Sequence, residues 1–472
     1  MNTTTHKLAF KEKFFYGFGD LASVLYWQTF MLYFTYFYTD VFLIPASVAA
    51  TMFLVSRIWD GVNDPMMGII ADRTKTRWGK FRPYLLWLCV PFAIVGVLVF
   101  TVPNFGPTGK IIWAYVTFIL IMMLYTAINI PYTALLGVIS PDSNERTSVS
   151  SIKFLFAFAA GIIVSATLLP MTKGLGGGND AKGWQLSFVI YGIAAIAFFL
   201  IAFKGTRERV LPPKSQKSSI KRDLYELVTN KPWLILLATT ITFILFVAVR
   251  SSVTVHYFKY VIGTQELTLP FFGTKSYDFN YMVSAYNTIG QIASLVGVLL
   301  VSWFAKWVGK KRAFMIMFVV AIFSTAILYV LTAKQLGLIF FFQITGSITG
   351  GPLSVLLWAM YADTADYGEW KRGRRTTGLV FSASTMSQKF GWAFGAFVAL
   401  NLMSQLGYKP DAEQSVDSLH GLLLLFSLIP AAMGVISMII LFFYPLHDQK
   451  VAEISADLEL RRKEAGEEVD LS

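Results

Sequence analysis

The sequence predicts an all-α membrane protein of twelve transmembrane helices in two six-helix bundles. Three observations favour this class. Of the 472 residues, 55% are apolar and only 14% are charged, a composition that soluble domains rarely have. The apolar residues occur in runs of about 20, the length at which a helix crosses the hydrocarbon core of a bilayer. The longest polar connection follows the sixth run and divides the chain in two.

Apolar runs bounded by polar or Pro/Gly clusters define the candidate spans. The twelve runs cover residues 14–38, 46–70, 83–103, 111–138, 150–172, 184–203, 233–258, 279–304, 312–332, 337–361, 376–403 and 421–445. We therefore expect an N-terminal bundle at 1–203, a cytoplasmic central loop at 204–232, a C-terminal bundle at 233–446 and a cytoplasmic tail at 447–472. In the tail, acidic and basic residues alternate around Ile454, Leu458 and Leu460, which predicts a surface helix or a partly disordered segment.

The basic residues predict the orientation. The two ends and the even-numbered connections hold 29 Lys and Arg residues, whereas the odd-numbered connections hold 6. By the positive-inside rule, both termini lie in the cytoplasm. The net charge of +12 then reflects topology and attraction to anionic lipids. We expect a multi-pass protein of a bacterial inner (plasma) membrane, with lipids as partners and no nucleic acid.

The sequence also disfavours several kinds of chemistry. Cys89 is the only cysteine and the four histidines are scattered, so no metal cluster or disulfide framework is predicted. Neither a phosphate-binding loop nor a nucleophile elbow is present in the sequence. ATP-driven pumping and enzymatic activity are therefore not expected, and no cofactor is predicted beyond a coupling cation.

The second apolar run contains three charged residues, Arg57, Asp60 and Asp64, whose spacing places them on one helix face. An ionised carboxylate at bilayer depth costs about 2.5–3.5 kcal/mol, so two of them require compensation. One arginine against two aspartates leaves one negative charge, which a monovalent cation or a proton would cancel. The pattern indicates the coupling site of a transporter driven by an ion gradient; the alternative is a structural salt bridge with Arg57.

Two short basic turns occupy corresponding places in the two halves. Gly79–Arg82 follows the second span and Gly309–Arg312 follows the second span of the second half. Their similarity is a weak indication of an internal repeat.

Several motifs carry a family resemblance. Gly68, Asp72, Arg73 and Arg77 fit the Gly-x-x-x-Asp-Arg-x-x-x-Arg/Lys signature of the major facilitator superfamily. More specifically, five segments resemble the glycoside-pentoside-hexuronide cation symporters: residues 16–20, 57–65, 77–83, 129–132 and 362–369. The resemblance covers residues 16 to about 446 and implies cation-coupled sugar symport by alternating access.

The resemblance also implies a cation site. In that family the ligands correspond to Asp60, Asn63, Asp64 and Thr126. Such hard oxygen ligands suit Na⁺ or Li⁺, with Asp60 and Asp64 as the metal-binding carboxylates, and the aspartates could equally take a proton. A basic residue of the eleventh span corresponds to Lys389, which would neutralise the aspartates between transport steps.

The sugar site departs from the pattern of melibiose-transporting members. Their acidic residue in span one aligns with Val24, their span-four aspartate with Asn129 and the neighbouring tryptophan with Thr133. A clamp of two carboxylates is therefore absent, although Asn129 can bind sugar hydroxyls. The family's span-five arginine corresponds to Lys153, or to Phe154 after a shift of one residue.

With Lys153 and Arg250 near the cavity, a xyloside, another pentoside or a hexuronide fits better than melibiose. In span one, Asp20 serves either substrate contact or helix packing. Gln28 with the ring of Tyr26 or Trp27 is a possible sugar-stacking pair. An interfacial aromatic belt is the expected role of Tyr33, Phe34, Tyr36, Phe37 and Tyr38.

Gate-forming ion pairs are expected at the cytoplasmic ends of both halves. In the first half they involve Asp72, Arg73 and Arg77. In the second half they involve Asp363, Asp366 and Glu369, together with Lys371, Arg372, Arg374 and Arg375.

Other functions remain open from the residues alone. A relative on the same fold that moves lipids or drugs would have an apolar cavity and would depend on a cation without protection by sugar. A membrane-embedded enzyme would need a nucleophile and base, or a metal set, which we cannot assemble from the spans. A channel is disfavoured because buried opposite charges at one depth suit a gated, stoichiometric site.

Overall fold

The computed structural model describes residues 8–140, 142–209, 225, 227–269, 273–373 and 377–464. The first half contains α1 (Phe10–Tyr36), α2 (Ala46–Arg73), α3 (Arg82–Val99), α4 (Pro107–Val138), α5 (Ser143–Gly176) and α6 (Asp180–Gly205). The second half contains α7 (Lys231–His256), β1 (Gln265–Leu269), β2 (Gly273–Tyr277), α8 (Phe279–Val308), α9 (Lys310–Ala326), α10 (Leu336–Gly350), α11 (Leu353–Arg372), α12 (Thr377–Gln405), α13 (Val416–Phe426), α14 (Leu428–Phe442) and α15 (Asp448–Glu464). The predicted all-α class is confirmed.

Three kinds of local structure depart from plain helices. Two π-helical turns, Phe37–Val41 and Tyr257–Ile262, continue α1 and α7. Strands β1 and β2 form an antiparallel hairpin in which Gln265 pairs with Tyr277. Short 3₁₀ turns, Ile327–Tyr329 and Ala333–Gln335, lie between α9 and α10.

Nine helical segments of the described chain are long and apolar enough to cross a membrane. They coincide with the expected spans three to ten and twelve. The other three expected spans coincide with α1, α2 and α12, which have 27, 28 and 29 residues but more polar sequences. The number of twelve therefore stays a prediction.

Two expected spans are each built from two helices. The run 337–361 is interrupted at Gly351–Pro352, and the run 421–445 is interrupted at Ser427. The first interruption has a clear cause, because proline lacks the N–H that a continuous helix needs.

The chain forms two compact units. The first contains Met1–Lys214, Ser251–Gln291 and Ala396–Leu422; the second contains Ser215–Arg250, Ile292–Gly395 and Leu423–Ser472. In the first unit α1 packs against α5 and α6, α3 against α4 and α6, and α2 against α4. In the second unit α9 packs against α10, α11 and α14.

The aromatic residues near the end of α1 lie inside the first unit. At most 2% of the surface is exposed in Tyr33, Phe34, Tyr36, Phe37 and Tyr38. Their rings pack against Trp184 of α6 and Phe118 of α4. The expected interfacial belt is therefore wrong. Protein interior and lipid are similarly apolar, so hydropathy alone does not separate a central helix from a lipid-facing one.

The tail begins with α15, which packs against α11. Ile454 and Leu458 are buried, whereas Leu460 is exposed. The indole N–H of Trp370 donates to Asp457 at 2.6 Å. The described part of the tail is thus a helix docked on its own unit.

Candidate functional site

Helix α2 has two chemically distinct faces. Ile58, Val62 and Ile69 are more than half exposed, whereas Arg57 and Asp60 are each 2% exposed. Because α2 packs against α4, Arg57 and Asp60 are covered by protein, whereas Asp64 is partly exposed and the apolar face is available to lipid. This arrangement follows the spacing that the sequence predicts.

Arg57 is held by one carboxylate and two aromatic rings. Its Nη1 donates to Asp60 Oδ2 at 2.9 Å. Its guanidinium carbon lies 4.7 Å from the ring centroid of Trp27 and 4.9 Å from that of Phe53. Among the described residues, its buried Nε and Nη2 have no hydrogen-bond partner. The rings therefore supply contacts where hydrogen bonds are absent.

Asp64 lies one turn further along α2, about 6 Å along the helix axis. The hydroxyl of Thr126 on α4 donates to Asp64 Oδ1 at 2.9 Å. The side-chain amide nitrogen of Asn63 is buried and has no hydrogen-bond partner in the described part of the chain. The structure thus places oxygen-bearing side chains of α2 and α4 together, as a small-cation site requires.

The expected sugar-contacting residues of the first unit lie on α1, α4 and α5. Lys153 Nζ lies 3.7 Å from Asp20 Oδ1 and 5.7 Å from the ring centroid of Tyr132. Phe154 is 59% exposed. Of the two alternatives, Lys153 is the residue that turns toward α1 and α4. Asn129 donates its amide N–H to the carbonyl of Tyr125 at 3.0 Å.

Burial excludes one of the residues expected to stack on a sugar from α1. Tyr26 is fully buried, with its ring 4.4 Å from that of Phe92. It cannot stack on a sugar, so this part of the prediction is wrong. Trp27 and Gln28 are partly exposed and remain candidates.

Arg250 and Lys389 belong to the second unit. Arg250 donates to Gln343 Oε1 at 2.9 Å and to Thr325 Oγ1 at 3.4 Å. Its guanidinium carbon lies 5.3 Å from the ring centroid of Phe426. Lys389 lies on α12 and is partly exposed. Their contact with substrate stays a prediction.

The gate residues are resolved in part. Lys310 Nζ donates to both carboxylate oxygens of Asp363, at 2.5 and 2.7 Å. Asp366 and Glu369 follow on the same helix and are partly exposed. In the first half, Arg73 and Arg77 are exposed, and Arg77 lies over the ring of Trp78 at 4.4 Å. The side chain of Asp72 and residues Arg374 and Arg375 lie outside the described residues.

Both basic turns are closed by a carboxylate that sequence reasoning missed. Glu208 accepts the backbone N–H groups of Lys80 and Phe81 at 2.8 Å, and Asp448 accepts that of Lys310 at 3.1 Å. The preceding glycines have φ angles of +108° at Gly79 and +90° at Gly309.

A Cβ atom at either glycine would overlap the carboxylate. We call these arrangements the first and second carboxylate caps. The similar basic turns of the two halves therefore have the same local structure. Each has a glycine in a backbone conformation that favours glycine and a carboxylate at a helix N-terminus.

A second missed group surrounds Asp40, in the π-turn after α1. Its carboxylate is fully buried and lies within hydrogen-bonding distance of Thr39 Oγ1 (2.7 Å), Lys259 Nζ (2.9 Å), His256 Nε2 (3.1 Å) and the hydroxyls of Tyr260 and Tyr408. We call these residues the Asp40 cluster; all lie in the first unit. The signal in the sequence was an aspartate inside an aromatic run, which requires partners when buried.

Comparison with known proteins places this chain in a family. Residues 15–448 match the family described as MFS/sugar transport protein. The chain is 35% identical to a putative glycoside/cation symporter of Escherichia coli strain K12, over 98% of each protein. It is 36% identical to the isoprimeverose transporter of Lactiplantibacillus pentosus, over 95% of this chain and 91% of the relative.

Solved structures share the fold at low sequence identity. The nucleoside transporter NupG superposes with a TM-score of 0.62 at 13% identity, covering 91% of this chain and 99% of that one. A bacterial homologue of the human drug peptide transporters superposes with a TM-score of 0.63 at 15% identity, covering 96% of this chain and 99% of that one.

The fold and the family match define a multi-pass membrane transporter of the major facilitator superfamily. Within that superfamily, the chain belongs to the MFS/sugar transport family, in its branch of glycoside-pentoside-hexuronide cation symporters.

Proposed function

We propose that this chain is a cation-coupled symporter that carries a xyloside by alternating access. The observation that carries the proposal is the group on α2 and α4 in which buried Asp60 pairs with Arg57 and partly exposed Asp64 pairs with Thr126. The relative named as an isoprimeverose transporter supports the substrate class, because isoprimeverose contains xylose. Transport, and no catalysed reaction, is the activity we assign.

The coupling cation binds at Asp60, Asn63, Asp64 and Thr126. Carboxylate, amide and hydroxyl oxygens suit Na⁺ or Li⁺, and a proton on one aspartate would neutralise the same charge. Cation and sugar raise one another's affinity by the same factor, typically about 1–3 kcal/mol. Lys389 compensates the aspartates when the cation has left.

The sugar is bound by hydrogen-bonding groups from both halves. In the first unit these are Asp20, Gln28, Asn129 and Lys153. Arg250 and Lys389 contribute from the second half. Lys153 already lies near Asp20, so a sugar hydroxyl entering between them would replace a loose ion pair by directed hydrogen bonds.

The proposal places the protein in a bacterial inner membrane with both termini cytoplasmic. The exposed apolar side chains of α2, such as Ile58 and Val62, then contact lipid. Ion pairs at the cytoplasmic ends, including Lys310 with Asp363, act as gate contacts.

The test is uptake of radiolabelled isoprimeverose, with a labelled glucuronide in parallel, into proteoliposomes under an imposed Na⁺ or H⁺ gradient. We expect gradient-driven accumulation that is lost in Asp60→Asn while sugar exchange persists. The matched control is Asp417→Asn, which changes an exposed carboxylate. Accumulation unaffected by Asp60→Asn would refute the cation site, and no uptake of either sugar would favour the lipid or drug alternative.

A further inference from the structure

Trp27 connects the cation site with a partly exposed surface of α1. One face of its ring is covered by the Arg57 guanidinium, 4.7 Å from the ring centroid. The ring is also stacked with that of Tyr125 on α4, with centroids 5.4 Å apart and planes at 27°. Arg57 is 2% exposed, whereas part of Trp27 is accessible.

The position of Arg57 depends on these aromatic faces. Only Nη1 has a hydrogen-bond partner among the described residues, because Nε and Nη2 are buried without one. Trp27 and Phe53 lie within 4.9 Å of the guanidinium carbon, a distance at which aromatic rings attract cations, and the attraction is stronger where water is excluded. The ring contacts thus confine the planar group to an orientation in which only Nη1 reaches Asp60.

We propose that Trp27 is a positioning residue of the cation site. By confining Arg57 to a single hydrogen bond with Asp60, it limits how much of the negative charge of the aspartate pair the guanidinium neutralises, and so determines how much is left for the external cation. The inference rests on the proposed function and assigns to Trp27 a role distinct from sugar stacking. The Phe53 ring also lies near the guanidinium, but it packs against Phe34 and Phe118 as well, so Trp27 is the more informative position.

Removing the indole has a directional consequence. In Trp27→Leu the guanidinium is no longer confined, and its remaining N–H groups turn toward the carboxylate oxygens of the pair. The Arg57 guanidinium then competes with the external cation for the carboxylates of Asp60 and Asp64. We expect the half-saturating Na⁺ concentration to rise about ten-fold, which corresponds to about 1.4 kcal/mol, with little change in the amount of sugar bound at saturating Na⁺. Trp27→Phe keeps an aromatic face and restores most of the affinity.

The experiment is a Na⁺ titration of labelled isoprimeverose binding to the full-length protein in lipid nanodiscs, with a pH titration without Na⁺ in parallel. The control is Trp87→Leu, which removes an indole that is 46% exposed on α3. A double variant, Trp27→Leu with Arg57→Gln, tests whether Trp27 affects Na⁺ binding through Arg57. If Trp27 acts through Arg57, its loss adds nothing once the guanidinium is gone.

Three outcomes would overturn the inference. An unchanged half-saturating concentration in Trp27→Leu would do so, as would equal shifts in Trp27→Phe and Trp27→Leu, since packing volume would then explain the effect. Additive effects in the double variant would also contradict it. If Trp27→Leu does not fold, the smaller shift of Trp27→Phe and its absence in the Arg57→Gln background decide the question. A wild type without any cation dependence would refute the proposed function itself, which separates the two failures.

Discussion

The carboxylate of Asp40 and the ammonium of Lys259 lie 2.9 Å apart although 219 residues separate them in the chain. The pair joins the π-turn after α1 to the π-turn after α7. Nearby, the hydroxyl of Ser251 donates to the carbonyl of Met31 at 3.1 Å. In an alternating-access symporter these ends must separate once in each cycle, so we expect the Asp40 cluster to form and break during transport.

Replacing Asp40 by Asn should favour separation of these ends. Losing the charge of Asp40 leaves the ammonium of Lys259 without its buried counter-charge, and breaking a buried ion pair in this way is strongly destabilising. A cysteine reporter at Asn287, which is 7% exposed, should be labelled faster by an impermeant maleimide in the Asp40→Asn background. Cys89 is buried and leaves little background.

The control for this measurement is Asp411→Asn. Asp411 contacts the same ammonium at 2.8 Å, but its side chain is 61% exposed, so its loss should change labelling little. Equal labelling rates in the Asp40→Asn and Asp411→Asn backgrounds would show that the cluster does not hold these ends together.

Thr126→Val should weaken cation binding without unfolding the protein. The change removes the hydroxyl that donates to Asp64 at 2.9 Å, and a hydrogen bond to a charged group contributes about 1.5–3 kcal/mol. We expect the half-saturating cation concentration for sugar uptake to rise about ten-fold. On the same helix Thr117→Val is the matched control, because the hydroxyl of Thr117 donates to a backbone carbonyl. An equal rise in both variants would exclude a specific role for Thr126.

Gly79→Ala should lower the melting temperature by several degrees. The φ angle of +108° at Gly79 disfavours any residue with a Cβ, at about 1–3 kcal/mol, and the new methyl group would overlap Glu208. Gly137→Ala is the control, since a Cβ there meets nothing within 4 Å. Melting curves of the detergent-solubilised protein would contradict the prediction if the two variants behave alike.

Lys310 and Asp363 should show energetic coupling. The pair is partly buried, with side-chain exposures of 29% and 11%, so its interaction should exceed that of a surface pair, at about 1 kcal/mol or more. The measurement is a double-mutant cycle on thermal stability with Lys310→Gln and Asp363→Asn. Additive losses would show that the contact contributes nothing to stability.

Local spacing accounts for what the sequence predicts well. Arg57 and Asp60 are three residues apart in a helix, so their contact follows from helix geometry alone. The contact of Asp64 with Thr126 needed the family resemblance, because 62 residues separate the two. Hydropathy could not show that Tyr33 and Tyr38 are core residues, since helix neighbours and lipid present similar apolar surroundings. The partners of Asp40 come from segments far from it in the sequence, and no local sequence pattern predicts such contacts.

The two carboxylate caps differ from the Asp40 cluster in what they connect. Glu208 and Gly79 both belong to the first half of the chain, and Asp448 and Gly309 both belong to the second. Each cap therefore closes within its own half of the chain, and no cap hydrogen bond has to break when the two halves move in a transport cycle. We expect the contacts that break and re-form to be those that join the two halves of the chain, such as Asp40 with Lys259, while the caps keep the shape of each basic turn.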